Sequence, residues 1–305
     1  MSEPGASFSR RALIGSAVLG VGVGMAAGAA LATPKAPPMV QLAERQRFRD
    51  KAVLVTGATS GIGAAAAKMF AAEGGRVAFC GRRIERGQAV ERGIREAGGE
   101  ATYIRADMRV EKDVKAFVDA AAAKYGGLDV CFNNAGITIE KPLVDLSAAE
   151  WDDVVNTDLR GNFLALKYEI PHLIARGGGT VVVTSSSNAV ATSPKRSAYT
   201  SAKRGVVGLV QVAAQEYYSA NIRINALIPG TTDTELTRRA GGMMDAPDAV
   251  WEEAAALWAK SNVAVAHRMA RPEEIAAVAV ALASDDFPYM TGAQIVADGG
   301  KTTFA

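Results

Sequence analysis

The sequence predicts an α/β fold: one open, doubly wound parallel sheet of about seven strands, with helices on both faces, in a single domain. Two features carry that expectation. From Lys51 onward, short and almost continuously apolar runs alternate with longer amphipathic segments, and the first run opens through a glycine-rich turn into an alanine-rich segment. A strand covered by helices on both faces must be apolar on both sides, whereas a strand with one wet face alternates. The 305 residues, 49% hydrophobic and 22% charged, suffice for one large core.

Taken in order, the first forty residues stand apart. Arg10 and Arg11 precede an uncharged Gly/Ala/Val/Leu stretch from Ala12 to Ala32 and then a proline-rich linker. This is the layout of a bacterial signal peptide, with a Ser-Arg-Arg-x-Leu start of the twin-arginine kind and small residues at Ala30 and Ala32 for a signal peptidase. The stretch also has about the ~20 residues that span a bilayer. Residues 1–32 therefore read as a twin-arginine export signal or an N-terminal anchor, 33–49 as a linker and 50–305 as the folded domain. The expected location is the periplasm, with a membrane-anchored or cytoplasmic protein as the alternatives.

The runs AVLV, RVAF, DVCF, TVVV, IRINAL and AQIV read as strands, and a third strand precedes RADM. Segments such as ERGQAVERGIREAG and EKDVKAFVDAAAAKYGG read as helices that stop at glycine. Cys80 and Cys131 fall inside strand-like runs, where a thiol behaves as a small hydrophobe. Two cysteines and two histidines leave little for a metal site, and a net charge of +2 without a basic stripe argues against nucleic acid.

The first strand leads directly into TGATSGIG, Thr56 to Gly63. Glycines at 57, 61 and 63 permit a tight turn, close approach of backbone N–H groups to a phosphate, and close helix–strand packing, with the positive end of the next helix aimed at that phosphate. After the second strand, a site built for NAD places an acid on the ribose hydroxyls. The chain instead reads Gly81, Arg82, Arg83. A guanidinium pairs with a 2′-phosphate in fork geometry, so NADP is the expected cofactor and NAD remains possible; the arginines also read as two solvated charges opening a helix. Later, in a run with helical spacing, Tyr199 and Lys203 stand four residues apart and so share one face.

Thr56-Gly57-x-x-x-Gly61-x-Gly63, Asn133-Asn134-Ala135-Gly136, Ser186 thirteen residues before Tyr199, Tyr199-x-x-x-Lys203 and Pro229-Gly230-x-x-x-Thr234 together resemble the short-chain dehydrogenase/reductase family. The resemblance spans roughly Asp50 to Gly300. It implies a Rossmann-type fold and an NAD(P)-dependent oxidoreductase that moves hydride between the nicotinamide and a secondary alcohol or its ketone. By the same resemblance the chain is a homotetramer.

The resemblance makes Tyr199 the proton-exchanging group and Lys203 both its charge partner and a ligand of the nicotinamide ribose. Ser186 would bond the substrate oxygen. The implied cofactor set is Thr56, Gly57, Ser60, Gly61, Ile62, Gly63, Arg82, Arg83, Asp107, Met108, Asn134, Ala135, Gly136, Tyr199, Lys203, Pro229, Gly230, Thr232 and Thr234. One position departs from the family. Asp158 stands where a catalytic asparagine usually precedes Leu-x-Gly-x-Phe, and Asn156 lies two residues early. An ionised aspartate accepts hydrogen bonds but donates none, and its charge would stabilise Lys203 as ammonium.

The segment from Glu235 to His267 covers the substrate in this family. Its Met243, Met244, Trp251 and Trp258 read either as an apolar lid or as ordinary helix packing. Lys195 and Arg196 read either as contacts for an anionic substrate or as a solvated loop. A dinucleotide-binding sensor or scaffold without turnover is the alternative to an enzyme.

Overall fold

The apolar runs are strands and the amphipathic segments helices in the computed structural model, which describes residues 45–303; the leader and most of the linker, residues 1–44, lie outside it. In chain order the elements are β1 (Ala52–Thr56), α1 (Gly61–Ala72), β2 (Arg76–Gly81), α2 (Ile84–Glu96), β3 (Glu100–Arg105), α3 (Glu111–Tyr125), β4 (Val130–Asn133), α4 (Ala148–Val155) and α5 (Gly161–Arg176). They continue as β5 (Gly179–Thr184), α6 (Ser197–Tyr217), β6 (Ile222–Pro229), α7 (Glu235–Ala240), α8 (Asp248–Asn262), α9 (Pro272–Ala283) and β7 (Gln294–Ala297).

The seven strands pair in parallel in the order β3-β2-β1-β4-β5-β6-β7. The chain builds outward from β1 to β3, then returns to the other side of β1 with β4. Strand order therefore reverses between β1 and β4, where a crevice opens at the carboxyl ends. The register Thr56 opposite Asn133 sets the two strand ends level at that crevice.

The period of two along each strand divides the core. Val53, Val55, Val77 and Phe79 pack with α1, α9 and Ile94 of α2 on one face, while Leu54, Ala78, Cys80 and Cys131 pack with α3, α5 and α6 on the other. Helices α1 and α9 are alanine-rich, which lets them lie close to the sheet and to each other. Both cysteines are buried free thiols, as their strand setting implies. The edges differ from the pattern of continuous burial. Strand β3 is mostly half-buried and β7 alternates between exposed and half-buried, because an edge strand has one neighbour and incomplete helical cover. That explains why β3, EATYIR, lacks the apolar continuity of the central runs.

Candidate active site

The glycine turn is shaped by contacts that leave no room for side chains. Gly57 has φ +68°, and a Cβ there would lie 2.6 Å from the Ala135 Cα. Thr56 Oγ1 accepts from the backbone N–H groups of Asn134 (3.0 Å) and Ala135 (3.2 Å), stapling the end of β1 to the loop after β4. Helix α1 has no acid in its first turn and no side-chain cap from Ser60, so its N-terminal N–H groups are free for an anion.

A cavity of about 510 Å3 crosses the carboxyl ends of the strands, with Arg82 and Arg83 lining it beyond β2 and Arg196 and Lys301 on the side of α6 and β6. Its lining includes Gly57, Ser60, Gly61, Ile62, Asp107, Met108, Asn134, Ala135, Gly136, Ser186, Tyr199, Lys203, Pro229, Gly230, Thr232 and Thr234. Of the residues expected at the site, Thr56, Gly63 and Asp158 stand behind the wall rather than on it. Gly63 is a packing position, since a Cβ there would meet the Gly57 carbonyl oxygen at 2.5 Å. The Asp107 carboxylate accepts from Arg109 Nε (2.9 Å) and Nη2 (2.5 Å). The Arg109 guanidinium holds it below the usual carboxylate range.

Tyr199 and Lys203 lie one turn apart on α6, with the lysine nitrogen 5.6 Å from the centre of the phenol ring. Lys203 is 2% exposed; its Nζ donates to the Thr184 carbonyl (3.0 Å) and lies 3.2 Å from Asp158 Oδ2. Asp158 is fully buried, and its Oδ1 accepts from the Ile137 N–H (2.8 Å). It sits in a π turn, Asn156–Arg160, between α4 and α5, a widening of the kind often found at functional sites. Burial pushes the Asp158 carboxyl up against the pull of the Lys203 ammonium. Burial also disfavours that ammonium, but the charges of Asp158 and Tyr199 outweigh it and leave Lys203 above its ordinary value. Gly136 keeps the pair together, because a Cβ there would reach 2.9 Å from Asp158 Oδ2 and 3.3 Å from Lys203 Nζ. Ser186 is buried at the end of β5, with its Oγ accepting from the Asn188 N–H (3.2 Å), which leaves the hydroxyl proton free to donate.

The structure adds three features to the sequence reading. First, Arg83 lines the cavity as expected but is also engaged there: it donates to Thr59 Oγ1 (2.9 Å), Ser60 Oγ (2.6 Å) and Glu235 Oε2 (2.6 Å). Burial opposes the Glu235 charge, but Arg83 and Arg86 hold its carboxyl below the usual range. Arg82 also lines the cavity and, among the described residues, has no carboxylate within ion-pair distance. Second, of the four residues that read as lid or packing, Trp251 alone is buried, Met243 and Met244 are half-buried and Trp258 is exposed. Trp251 is 6% exposed and donates to Asp233 Oδ1 (2.8 Å), and none of Met243, Met244, Trp251 and Trp258 lines the cavity, which takes Leu236, Thr237, Arg239 and Ala240 from α7 instead. Third, Lys301 and Arg196 line the cavity, whereas Lys195 does not. Glu235 sits in the first turn of a helix, where an acid is unremarkable, and Lys301 lies near the chain end, so neither gave a signal.

The glycine cradle, the free helix N-terminus and the cationic end of the cavity fit a nicotinamide dinucleotide. The family model described as enoyl-(acyl carrier protein) reductase matches residues 57–302. A cis-4-hydroxycyclohexanecarboxylate dehydrogenase of Sinomonas cyclohexanicum is 39% identical over 258 residues, covering 84% of this chain and 98% of that protein. A cyclohexanol dehydrogenase of Acinetobacter sp. strain SE19 is 36% identical over 258 residues, covering 84% and 97%. The crystal structure of levodione reductase superposes with a TM-score of 0.79 at 35% identity, covering 85% of this chain and all of that one. The chain belongs to the short-chain dehydrogenase/reductase family and is an NAD(P)-dependent oxidoreductase of secondary alcohols and their ketones.

Proposed function

We propose that the enzyme interconverts ring secondary alcohols and ring ketones, with NADP as the preferred cofactor. The convergence of Ser186, Tyr199 and Lys203 on the cavity that also holds the glycine turn carries the reading of the chemistry. The names of two relatives, which act on hydroxycyclohexanecarboxylate and cyclohexanol, support a ring substrate. A bound nicotinamide supplies the hydride acceptor or donor. The chain's own groups do the rest: Ser186 donates a hydrogen bond to the carbinol or carbonyl oxygen, and Tyr199 exchanges the proton at that same atom. The Lys203 ammonium favours the phenolate of Tyr199, and Asp158 favours the ammonium. An intact trio in a formed cavity speaks against a sensor without turnover.

For the cofactor, the supporting observation is Arg82. No acid follows β2, and this guanidinium is not engaged by a carboxylate among the described residues, whereas Arg83 is held by Glu235. The test is nicotinamide absorbance with cyclohexanol and NADP+ or NAD+, and with cyclohexanone and NADPH or NADH. Turnover with NADP(H) at a lower KM than with NAD(H) is expected. Turnover of linear substrates alone, or a lower KM for NAD(H), would contradict the reading.

We further propose that the protein is a homotetramer and that its leader directs export by the twin-arginine route. That route carries folded proteins. A ligand bound only to the folded state adds RT ln(1 + [L]/Kd), about 2.7 kcal/mol at a hundred times Kd, so cytoplasmic cofactor assists folding before export. Cell fractionation with N-terminal sequencing should find a chain starting near Thr33 outside the cytoplasmic membrane. A soluble cytoplasmic chain retaining its leader would contradict export.

A further inference from the structure

The cavity that takes in Ser186 and Tyr199 also holds, at Lys301, an ammonium without a counter-ion among the described residues. Lys301 follows β7 in a turn fixed by Asp298, whose carboxylate accepts from the N–H groups of Gly300 (2.9 Å) and Thr302 (2.9 Å) and from the Thr302 hydroxyl (2.6 Å). The nearest acid in sequence is thus occupied by backbone and hydroxyl donors. Lys301 Nζ donates to Thr231 Oγ1 (3.2 Å) and lies 5.7 Å from the centre of the Trp258 ring on α8. Among the described residues no carboxylate stands within ion-pair distance of it.

The acids that do line the cavity are committed elsewhere. Asp107 and Asp153 are both paired with Arg109, and Glu235 with Arg83 and Arg86. Arg196, one turn before Tyr199, lies close enough for its charge to act on Lys301, and it is ion-paired with Glu140. Burial, and after it the Arg196 charge, push the Lys301 ammonium down against the weaker pull of Asp298 and Glu140. A half-buried cation next to a second cation is stabilised by an arriving anion.

The geometry points to an anion-binding subsite at Lys301, assisted by Arg196, that holds a carboxylate carried by the substrate ring while the carbinol oxygen lies at Tyr199 and Ser186. This rests on the ring-alcohol reading and adds to it that the substrate is a hydroxy- or oxo-cycloalkane carboxylic acid. Thr231 and the Trp258 ring hold the ammonium in place, so the lysine is pre-ordered, and a charge-assisted contact there is worth about a ten- to hundredfold preference over a neutral isostere.

The test measures binding to the full-length enzyme saturated with NADP+, by calorimetry, with cyclohexanecarboxylate and cyclohexanecarboxamide as probes. The carboxylate should bind at least tenfold tighter than the amide. Lys301→Arg should keep that ratio, and Lys301→Met should bring it to about one. Equal binding of both probes to the wild-type enzyme overturns the subsite without reliance on any variant's folding. So does a preference that survives Lys301→Met, or a Lys301→Met variant that loses NADP+ affinity instead, which would assign the lysine to a cofactor phosphate. The underlying reading fails separately: cis-4-hydroxycyclohexanecarboxylate that binds with this Lys301 dependence but is not oxidised leaves the subsite standing and removes the proposed reaction.

Discussion

At Asp158 a carboxylate replaces a carboxamide, and its two oxygens do different things. Oδ1 keeps the backbone bond from Ile137 that an asparagine oxygen could also keep, whereas Oδ2 faces the Lys203 ammonium at 3.2 Å. The substitution therefore preserves local structure and adds a charge. Without that charge, only the smaller pull of Tyr199 would oppose the burial that lowers Lys203. Asp158→Asn is expected to fold normally and to move the alkaline limb of the turnover profile down by about one pH unit or more, the size of effect an opposite charge at this range exerts. A profile that does not move would show that Asp158 has no influence on the proton-transferring groups.

The motif positions on α1, α6 and β4 were legible because their spacing determines their geometry. Tyr199 and Lys203 share a helix face by periodicity, and Gly57 must be glycine because Ala135 is pressed against it. The path of α7 was not legible, since it depends on where a short helix comes to rest on distant groups. Glu235 reaches Arg83 and Arg86 on and beside α2, more than a hundred residues earlier in the chain. A ribose 2′-phosphate would compete with this carboxylate for Arg83, which leaves Arg82 as the available guanidinium. Arg82→Ala should weaken NADPH about ten- to a hundredfold relative to NADH, and Glu235→Gln should shift the ratio the other way by freeing Arg83. Equal effects of each variant on both cofactors in fluorescence titrations would show that neither group reads the phosphate.

Across the whole molecule the parallel sheet and its two helical layers were legible in apolar continuity and one glycine turn, whereas the strand order β3-β2-β1-β4-β5-β6-β7 came from the structure. The charges inside the core did not. Glu169 of α5 is fully buried beneath β4, where Oε2 accepts from Asn133 Nδ2 (2.8 Å) beside Cys131. Nothing in a helical pattern marks it. Burial raises its carboxyl to about 7 from an ordinary 4.5, against the bonds from Asn133 and Cys131. The folded chain thus binds more protons than the unfolded chain between those two values, so stability is greatest below the window, falls as pH rises through it, and levels off above. Glu169→Gln, which keeps an acceptor for Asn133, should remove that fall and gain up to about 3 kcal/mol at pH 8, from about 1.4 kcal/mol per unit. Urea unfolding from pH 4.5 to 8 measures it, and parallel curves for the two proteins would contradict the assignment. The central claim is that Tyr199 moves the proton of an alcohol/ketone conversion in a site whose cofactor is held mainly by other residues. The measurement that tests it most directly compares Tyr199→Phe with the wild type, in turnover of a ring alcohol and in NADPH binding on the same preparation. The account predicts turnover lower by about 10²–10⁴ with NADPH affinity nearly unchanged. Near-normal turnover, or a loss confined to cofactor binding, would contradict it.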